Sequence, residues 1–446
     1  MKSRLLKNFC VVMLLAMVSA CAPKATEPAA TAVPAQETEA ATAAPASTES
    51  AASDTPATVT WWVPNWDEEI VNTLLEGFKA EYPNITVNLV ITTWDTMQDQ
   101  IRMGLMSSNP PDLITELESR VPAYAEQGLL ENLDAYVSSS TEITKDDIVT
   151  SALEINSYDG SLYGIPFRHD GTGIYYNKAL FQAAGLDPEA FPTTWDELMA
   201  ASKTLTVDTN NDGTPDQYGT AWPFGNQSNA VTRFVLQLYT RGGNILSEDG
   251  KTCTLDSEAA IEAMTTLVDT MVTEKVASPS SMEIDNTQLR ELFVNGKIAW
   301  MIDGAYDIPT IQEEAPDLDF GTAVLAGVDG MGTTTANGFS MIIPSGSANK
   351  DAAWILAEYM ARDENMAQLT NTFPARKSAM ELEKFSAPLL QPFARQLDQG
   401  KSEPAYTNWA EMETIIYTYL QKAVLNEMTP EEAMTNITAE INATLE

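Results

Sequence analysis

Between Val59 and Leu117 the sequence switches repeatedly between two hydrophobic periods, and that alternation limits the fold more than any other feature. "VTWWVP" (59–64) is short, β-branched and aromatic, and reads as a strand. "EEIVNTLLEGFKAEYP" repeats its apolar residues at helical spacing and stops before Pro83. "ITVNLV" reads as a second strand, "WDTMQDQIRMGLMS" as a second helix and "PDLITEL" as a third strand. The order β-α-β-α-β calls for a largely parallel sheet flanked by helices, so the expected fold class is α/β. A chain of 446 residues is too long for one compact core, which predicts two domains or one bilobed body.

Beyond Lys178 the pattern is more helical. "FPTTWDELMAASKTL" carries a capping box, Thr194 with Glu197 three residues on. Asp256 opens a helix expected to run to about Thr273. "GKIAWMIDG" (296–304) reads as a buried strand closed by a turn, and "GFSMIIP" (338–344) as another. From Asp351 onward nearly everything reads as helix, and no repeat of fixed period is present.

The ends of the chain say where it works. Lys2, Arg4 and Lys7 precede the apolar run "FCVVMLLAMV" (9–18), which is too short to span a bilayer comfortably. Small residues and then Cys21 follow, so residues 1–20 resemble a bacterial lipoprotein signal, in which the cysteine is lipidated and becomes the new N-terminus. An ordinary secretory signal is the alternative, and either sends the protein out of the cytoplasm. Residues 21–56 are almost wholly Ala, Pro, Thr, Ser and Glu, the composition of a disordered tether with a span of roughly 30 Å. Only Cys253 remains in the body, so no internal disulfide is expected, and its setting "GKTCTLDS" reads as structural rather than nucleophilic. A formal net charge of −38 repels phosphate backbones and argues against a nucleic-acid partner.

Motifs for chemistry are sparse. "VDTNNDGTPDQYG" offers oxygens from Asp208, Asn210, Asp212, Thr214 and Asp216, with Gly213 at the sharp turn, a spacing that suits a structural Ca²⁺. Its twelfth position is Gly219, so no bidentate Glu closes the loop, and an Asx-rich turn without metal is the alternative. His169 is the only histidine, with no partner set for zinc, no G-x-S-x-G and no Gly-rich phosphate loop. Carboxylate pairs could serve a glycosidase, but with 63 acidic residues chance pairings are expected. The aromatics point further. Trp62, Trp66, Trp222, Tyr306, Tyr406 and Trp409 fall at loops, strand ends or helix starts, where sugar C–H faces could stack on them. Core packing is the alternative for each.

These segments together resemble a known family. "LYGIPFRHDGTGIYYNKALFQAAGL" with "FPTTWDELMAASKTL", "PDLITELESRVPAYAEQGLLENL", "FVNGKIAWMIDGAYDI" and "NGFSMIIPSGSANKDAAWILAEYM" are similar to the sugar-binding family 1 of extracellular solute-binding proteins, the group that includes maltose-binding protein. The resemblance covers 57–446. It implies a two-lobed periplasmic-binding-protein-like fold (type II) with the ligand between lobes. Crossings would lie near Asp170 to Gly173, with Gly171 and Gly173 as hinge, near Ala336 to Gly338, and near Gly400. Lobe one would be 57–170 with 339–399, and lobe two 171–338 with 400–446. By the same resemblance Asp170 falls on a carboxylate that binds a sugar hydroxyl, Arg120 on an arginine, and Tyr306 and Trp409 on stacking tryptophans. Glu116 stands where the family stacks a tryptophan, and Ser119 where maltose-binding protein has an aspartate, which puts maltose itself in doubt. Trp62, Asn65 and Trp66 follow the first strand, and Trp222 and Asn226 lie in a variable loop. The implied protein is a monomer that performs no catalysis and needs no cofactor. It captures a mono- or oligosaccharide outside the cell and hands it to an ABC permease with a separate ATPase, while its lipid holds it to the membrane. A polyol, glycerol phosphate or polyamine ligand, or a secreted carbohydrate-active enzyme, are the alternatives.

Overall fold

In the computed structural model, β1 (Ala57–Pro64) divides its side chains between two helices on opposite sheet faces. The structure describes residues 56–445 apart from 248, 371, 398–399, 403, 405 and 407, so the leader, Cys21 and the tether up to residue 55 lie outside it. Val59, Trp61 and Val63 share a core with Val71, Leu74 and Phe78 of α1 (Glu68–Glu81). The α1 residues are three and four positions apart and therefore share one helix face. Each side chain so buried contributes about 1.5–3 kcal/mol. β2 (Ile85–Thr92) runs parallel to β1, and α2 (Trp94–Leu105) packs near Trp62 on the other face. β3 (Leu113–Leu117) pairs with β1, again parallel, as the alternating pattern requires.

Among the elements that follow are α3 (Thr150–Ile155), the long strand β4 (Gly164–Asn177), α4 (Trp195–Leu205), α5 (Gln227–Thr240), α6 (Glu258–Val268), α7 (Asn286–Val294), β5 (Trp300–Gly304), β6 (Phe320–Ala323), β7 (Thr335–Ile342), α8 (Lys350–Met360), α9 (Gln391–Leu397), β8 (Lys401–Ser402), α10 (Trp409–Val424) and α11 (Pro430–Leu445). The capping box forms as read, with Thr194 and Glu197 exchanging both bonds at the start of α4.

Among the described residues eight strands join in the order β2-β1-β3-β7-β4-β5, with β6 beside β4 and β8 beside β7. β4 changes partner partway along. Up to Gly171 it pairs with β7, from Thr172 it pairs with β5, and from Ile174 it also pairs with β6. β7 holds β3 at Phe339–Ile342 and β8 at Thr335 and Ala336. Three segments therefore lie side by side where Gly171, Ala336 and Ser402 meet.

The cores follow the same switch. Ile165 and Phe167 of β4 pack with Trp61, Phe78 and Leu356. Ile174 and Tyr176 pack with Trp222, Phe234, Trp300 and Ile416. A third cluster joins Phe385, Phe393 and Leu397 to Ala367 and Phe373 of the same segment and to Tyr175 and Phe293. Hydrophobicity marked them as core, but not whose core. The expected reason for two glycines changes. Gly171 and Gly173 do not have positive φ. A Cβ would stand 2.9 Å from Thr334 Oγ1 at Gly171 and 2.7 Å from the Phe393 ring at Gly173, so close packing is what requires them.

Candidate functional site

Ligands of open α/β sheets bind beyond the carboxyl ends of the parallel strands. β1 ends at Pro64 and delivers Asn65 and Trp66; β3 ends at Leu117 and delivers Ser119 and Arg120. Asn65 is exposed, and Trp66 is 42% exposed with its ring 5.9 Å edge-on from Phe339 of β7. The Arg168 guanidinium lies 5.4 Å from the Phe339 ring and pairs with Asp67 at 2.6 Å, which fixes the loop carrying Trp66 to β4. Burial still lifts the Asp67 carboxyl above its ordinary range, with Arg168 opposing the shift.

Ser119 is joined to the same strands. Its N–H donates to Asn337 Oδ1 at 3.3 Å, and Asn337 Nδ2 donates to its hydroxyl at 3.4 Å. Asp170 stands opposite Asn337 in the β4–β7 register. Burial pushes its carboxyl up to about 6, opposed by the Thr372 hydroxyl and by the Arg168 charge. Among the described residues, neither the buried Asp170 Oδ1 nor the Nε of the half-buried Arg120 has a hydrogen-bond partner. Orphaned groups of this kind are costly unless another donor or acceptor arrives.

Two further expected residues lie past the partner switch. Thr172 of β4 pairs with Gly304 of β5, and Tyr306 follows two residues later, 40% exposed, with its hydroxyl donating to Asp303 Oδ1 at 2.6 Å. Trp409 opens α10 and lines a small cavity with Glu413, Ser228 and Thr232 of α5, Thr335 of β7 and Pro404. Asn337, Phe339, Ser228, Thr232 and Glu413 were not anticipated. The signal available for the last three was a four-residue spacing, Ser228 to Thr232 and Trp409 to Glu413, which puts each pair on one helix face.

The structure gives four other expected residues different surroundings from the strand-end loops. Glu116 is fully buried on the α2 side of β3, where Gln98 Nε2 and the Leu117 N–H donate to its Oε1 at 2.9 and 2.7 Å. Strand alternation points it inward, and burial raises its carboxyl to about 7. Trp62 is sent by the same alternation to the α2 face, where it lines a cavity of about 430 Å³ with Thr60, Gln100, Met103 and Gly104. Trp222 is 1% exposed, donates to Thr270 Oγ1 at 2.7 Å and packs on Phe224 and Trp300, so it belongs to the core. Asn226 caps α5, accepting from the Asn229 N–H at 3.1 Å.

In the loop 208–216 the side chains hydrogen-bond within the loop. Asp208 accepts from the N–H groups of Asp212 and Gly213, Asn210 from Asp212, Asp212 from Thr214, and Asp216 from the Thr209 hydroxyl. No group of three or more His, Cys, Asp or Glu able to hold a metal ion occurs among the described residues. The Asx-turn alternative accounts for these bonds. Cys253 is buried, and burial pushes its thiol up, as expected of a structural cysteine.

His169 does have partners that the sequence did not reveal. Its ring nitrogens lie 2.7 Å from Ser151 Oγ and 2.7 Å from Glu118 Oε2. The order Ser–His–Glu matches that of a catalytic triad. His169 and Glu118 are 0% exposed and Ser151 6%, and Asn156 continues the network from Glu118 to Ser340. The trio works as a buried polar brace between α3, β4 and the turn after β3.

Comparison with known proteins fits this geometry. The family model described as bacterial extracellular solute-binding protein matches residues 53–367. A Brucella abortus protein named as a binding protein is 27% identical over 379 residues, 83% of this chain and 88% of its own. The lactose-binding protein of Rhizobium radiobacter is 25% identical over 323 residues, 70% of this chain and 72% of its own. Among solved structures, an ABC transporter solute-binding protein from Thermotoga lettingae bound with alpha-D-tagatose superimposes with a TM-score of 0.75 at 26% identity, covering 87% of this chain and 100% of that one. The sugar-binding protein of Xanthomonas citri shares the fold with a TM-score of 0.77 at 21% identity, covering 87% and 97%.

Proposed function

We propose, since this chain belongs to the bacterial extracellular solute-binding protein family, that it is the carbohydrate receptor of an ABC importer. It captures a mono- or oligosaccharide outside the cell and passes it to a membrane permease whose ATPase is a separate chain. The observation that carries this reading is the set of aromatic side chains left partly exposed, Trp66, Tyr306 and Trp409, together with the unpartnered acceptor on Asp170. Aromatic faces take the C–H faces of sugars, and a buried carboxylate oxygen without a donor suits a hydroxyl. The partner switch in β4, with β7 and β8 beside it, is where two lobes would rotate to close over the ligand. The ligand is bound and released unchanged. Cys21 carries the lipid that keeps a monomeric receptor at the cell membrane.

The test is a thermal-shift panel with the purified protein against D-tagatose, lactose and maltotriose, sugars named for its relatives. A ligand at a hundred times its dissociation constant adds about 2.7 kcal/mol of stability. A rise in melting temperature with one of them, and no new product on chromatography, supports a receptor. Turnover of the sugar would overturn it. Replacing Cys21 with serine should release the protein from the membrane fraction.

A further inference from the structure

Tyr306 is partly exposed, yet both its inner face and its hydroxyl are tied down. A Cβ on Gly304 would stand 2.1 Å from Tyr306 Cε1 and 2.6 Å from Cδ1, so the ring rests directly on bare backbone. At its tip the hydroxyl donates to Asp303 Oδ1 at 2.6 Å. The same oxygen accepts Asn286 Nδ2 at 3.2 Å and the Gly304 N–H at 2.8 Å. The Asn286 carbonyl in turn accepts from Arg233 Nη2 at 3.3 Å, and Arg233 also donates to the Ile302 carbonyl at 2.7 Å. Asp303 is 0% exposed and Arg233 3%. Residues from α5, α7 and β5 thus converge on one phenol.

Holding a carboxylate and a guanidinium out of water is costly, and an apolar cluster would brace this turn without that cost. What the polar arrangement supplies is position: the bond to Asp303 pins the tip of the Tyr306 ring, while the bare Gly304 backbone beneath it sets the ring plane, and the residue stays 40% exposed. A ring already fixed loses little freedom when a ligand stacks on it. Burial and the nearby Asp303 and Asp307 charges also raise the hydroxyl well above the ordinary tyrosine range, so it stays a donor.

We propose that Asp303, supported by Asn286 and Arg233, is a positioning residue that sets the Tyr306 ring as a rigid stacking platform for the ligand. The proposal rests on the receptor reading above, with Tyr306 in contact with a sugar ring. Its test is a double-mutant cycle on the dissociation constant, with whichever of D-tagatose, lactose or maltotriose gives the largest thermal shift as probe. Tyr306→Phe and Asp303→Asn should each weaken binding about three- to tenfold, and the double variant should be no weaker than either alone. A merely structural Asp303 would lower the melting temperature without this coupling in affinity. Should Asp303→Asn not fold, Asn286→Ala takes its place in the cycle, with the same expectation. If Asp303→Asn costs as much affinity in the Tyr306→Phe background as in the natural protein, the carboxylate acts elsewhere and the proposal falls. If Tyr306→Ala leaves sugar binding unchanged, the platform is refuted while the receptor reading stands. If none of the sugars binds, the receptor reading fails and takes the platform with it.

Discussion

Glu116→Gln should stabilise this protein, and only above a definable pH. Glu116 is fully buried, with Oε1 accepting from Gln98 and Leu117 and Oε2 without a partner. Burial moves its carboxyl from an ordinary 4.5 to about 7. Below pH 4.5 folded and unfolded chains both hold the proton, and the group carries no penalty. Between the two values the unfolded chain releases its proton while the folded one keeps it, so stability falls as pH rises. Above pH 7 the folded chain carries the whole cost of an ionised buried carboxylate, on the order of 3 kcal/mol from that displacement. A glutamine keeps the acceptor that Gln98 and Leu117 use and replaces the orphaned oxygen with a neutral amide. Urea denaturation at pH 8 should therefore show the variant more stable by about 2–3 kcal/mol, and the gap should close by pH 4. Sugar affinity should not change, because Glu116 faces α2 and not the carboxyl-end loops. Equal stability at pH 8, or a loss of affinity, would refute the account of Glu116 as an interior group.

Three further perturbations separate the site from the scaffold. A sugar hydroxyl donating to Asp170 favours its charged form, so affinity should fall about tenfold per pH unit below 6, where the free protein holds the proton, and stay flat above. Asp170→Asn should bind more weakly with no such slope, and a flat profile in the natural protein would remove Asp170 from the site. Trp222→Ala should cost about 3–5 kcal/mol by calorimetry, since it empties a core position and removes the bond to Thr270, and a cost near zero would contradict its burial. Chelator decides between the two readings of the loop 208–216: a drop in melting temperature restored by added Ca²⁺ shows a bound ion there, and an unchanged value leaves the Asx-rich turn.

The strand and helix order was legible because it rests on local period. The β-α-β-α-β start, the capping box at Thr194 and the strands ending at Gly304 and Ile342 all emerge from residues adjacent in sequence. The site was legible only in part, because what decides it is long-range. Trp61 and Trp62 are neighbours with the same chemistry, yet one enters the α1 core and the other the α2 face. Glu116 and Ser119 lie three residues apart, yet the first is still inside β3 and points at Gln98, while the second lies past the strand end and reaches Asn337. No composition or spacing signals that difference, since strand parity is set by which segment pairs with which, and β3 is held by a strand more than two hundred residues downstream. The same argument explains why His169 looked isolated: its two partners sit 18 and 51 residues earlier in the chain and meet it only once β3, α3 and β4 are in register. Aromatic residues are therefore poor site markers on their own here. Trp66 and Tyr306 stay open because a loop and a turn carry them past the last paired residue, and Trp222 closes because Phe224, Thr270 and Trp300 surround it. What separates a platform from a core residue in this chain is the distance from the end of a paired strand, a quantity that exists only after the sheet has formed.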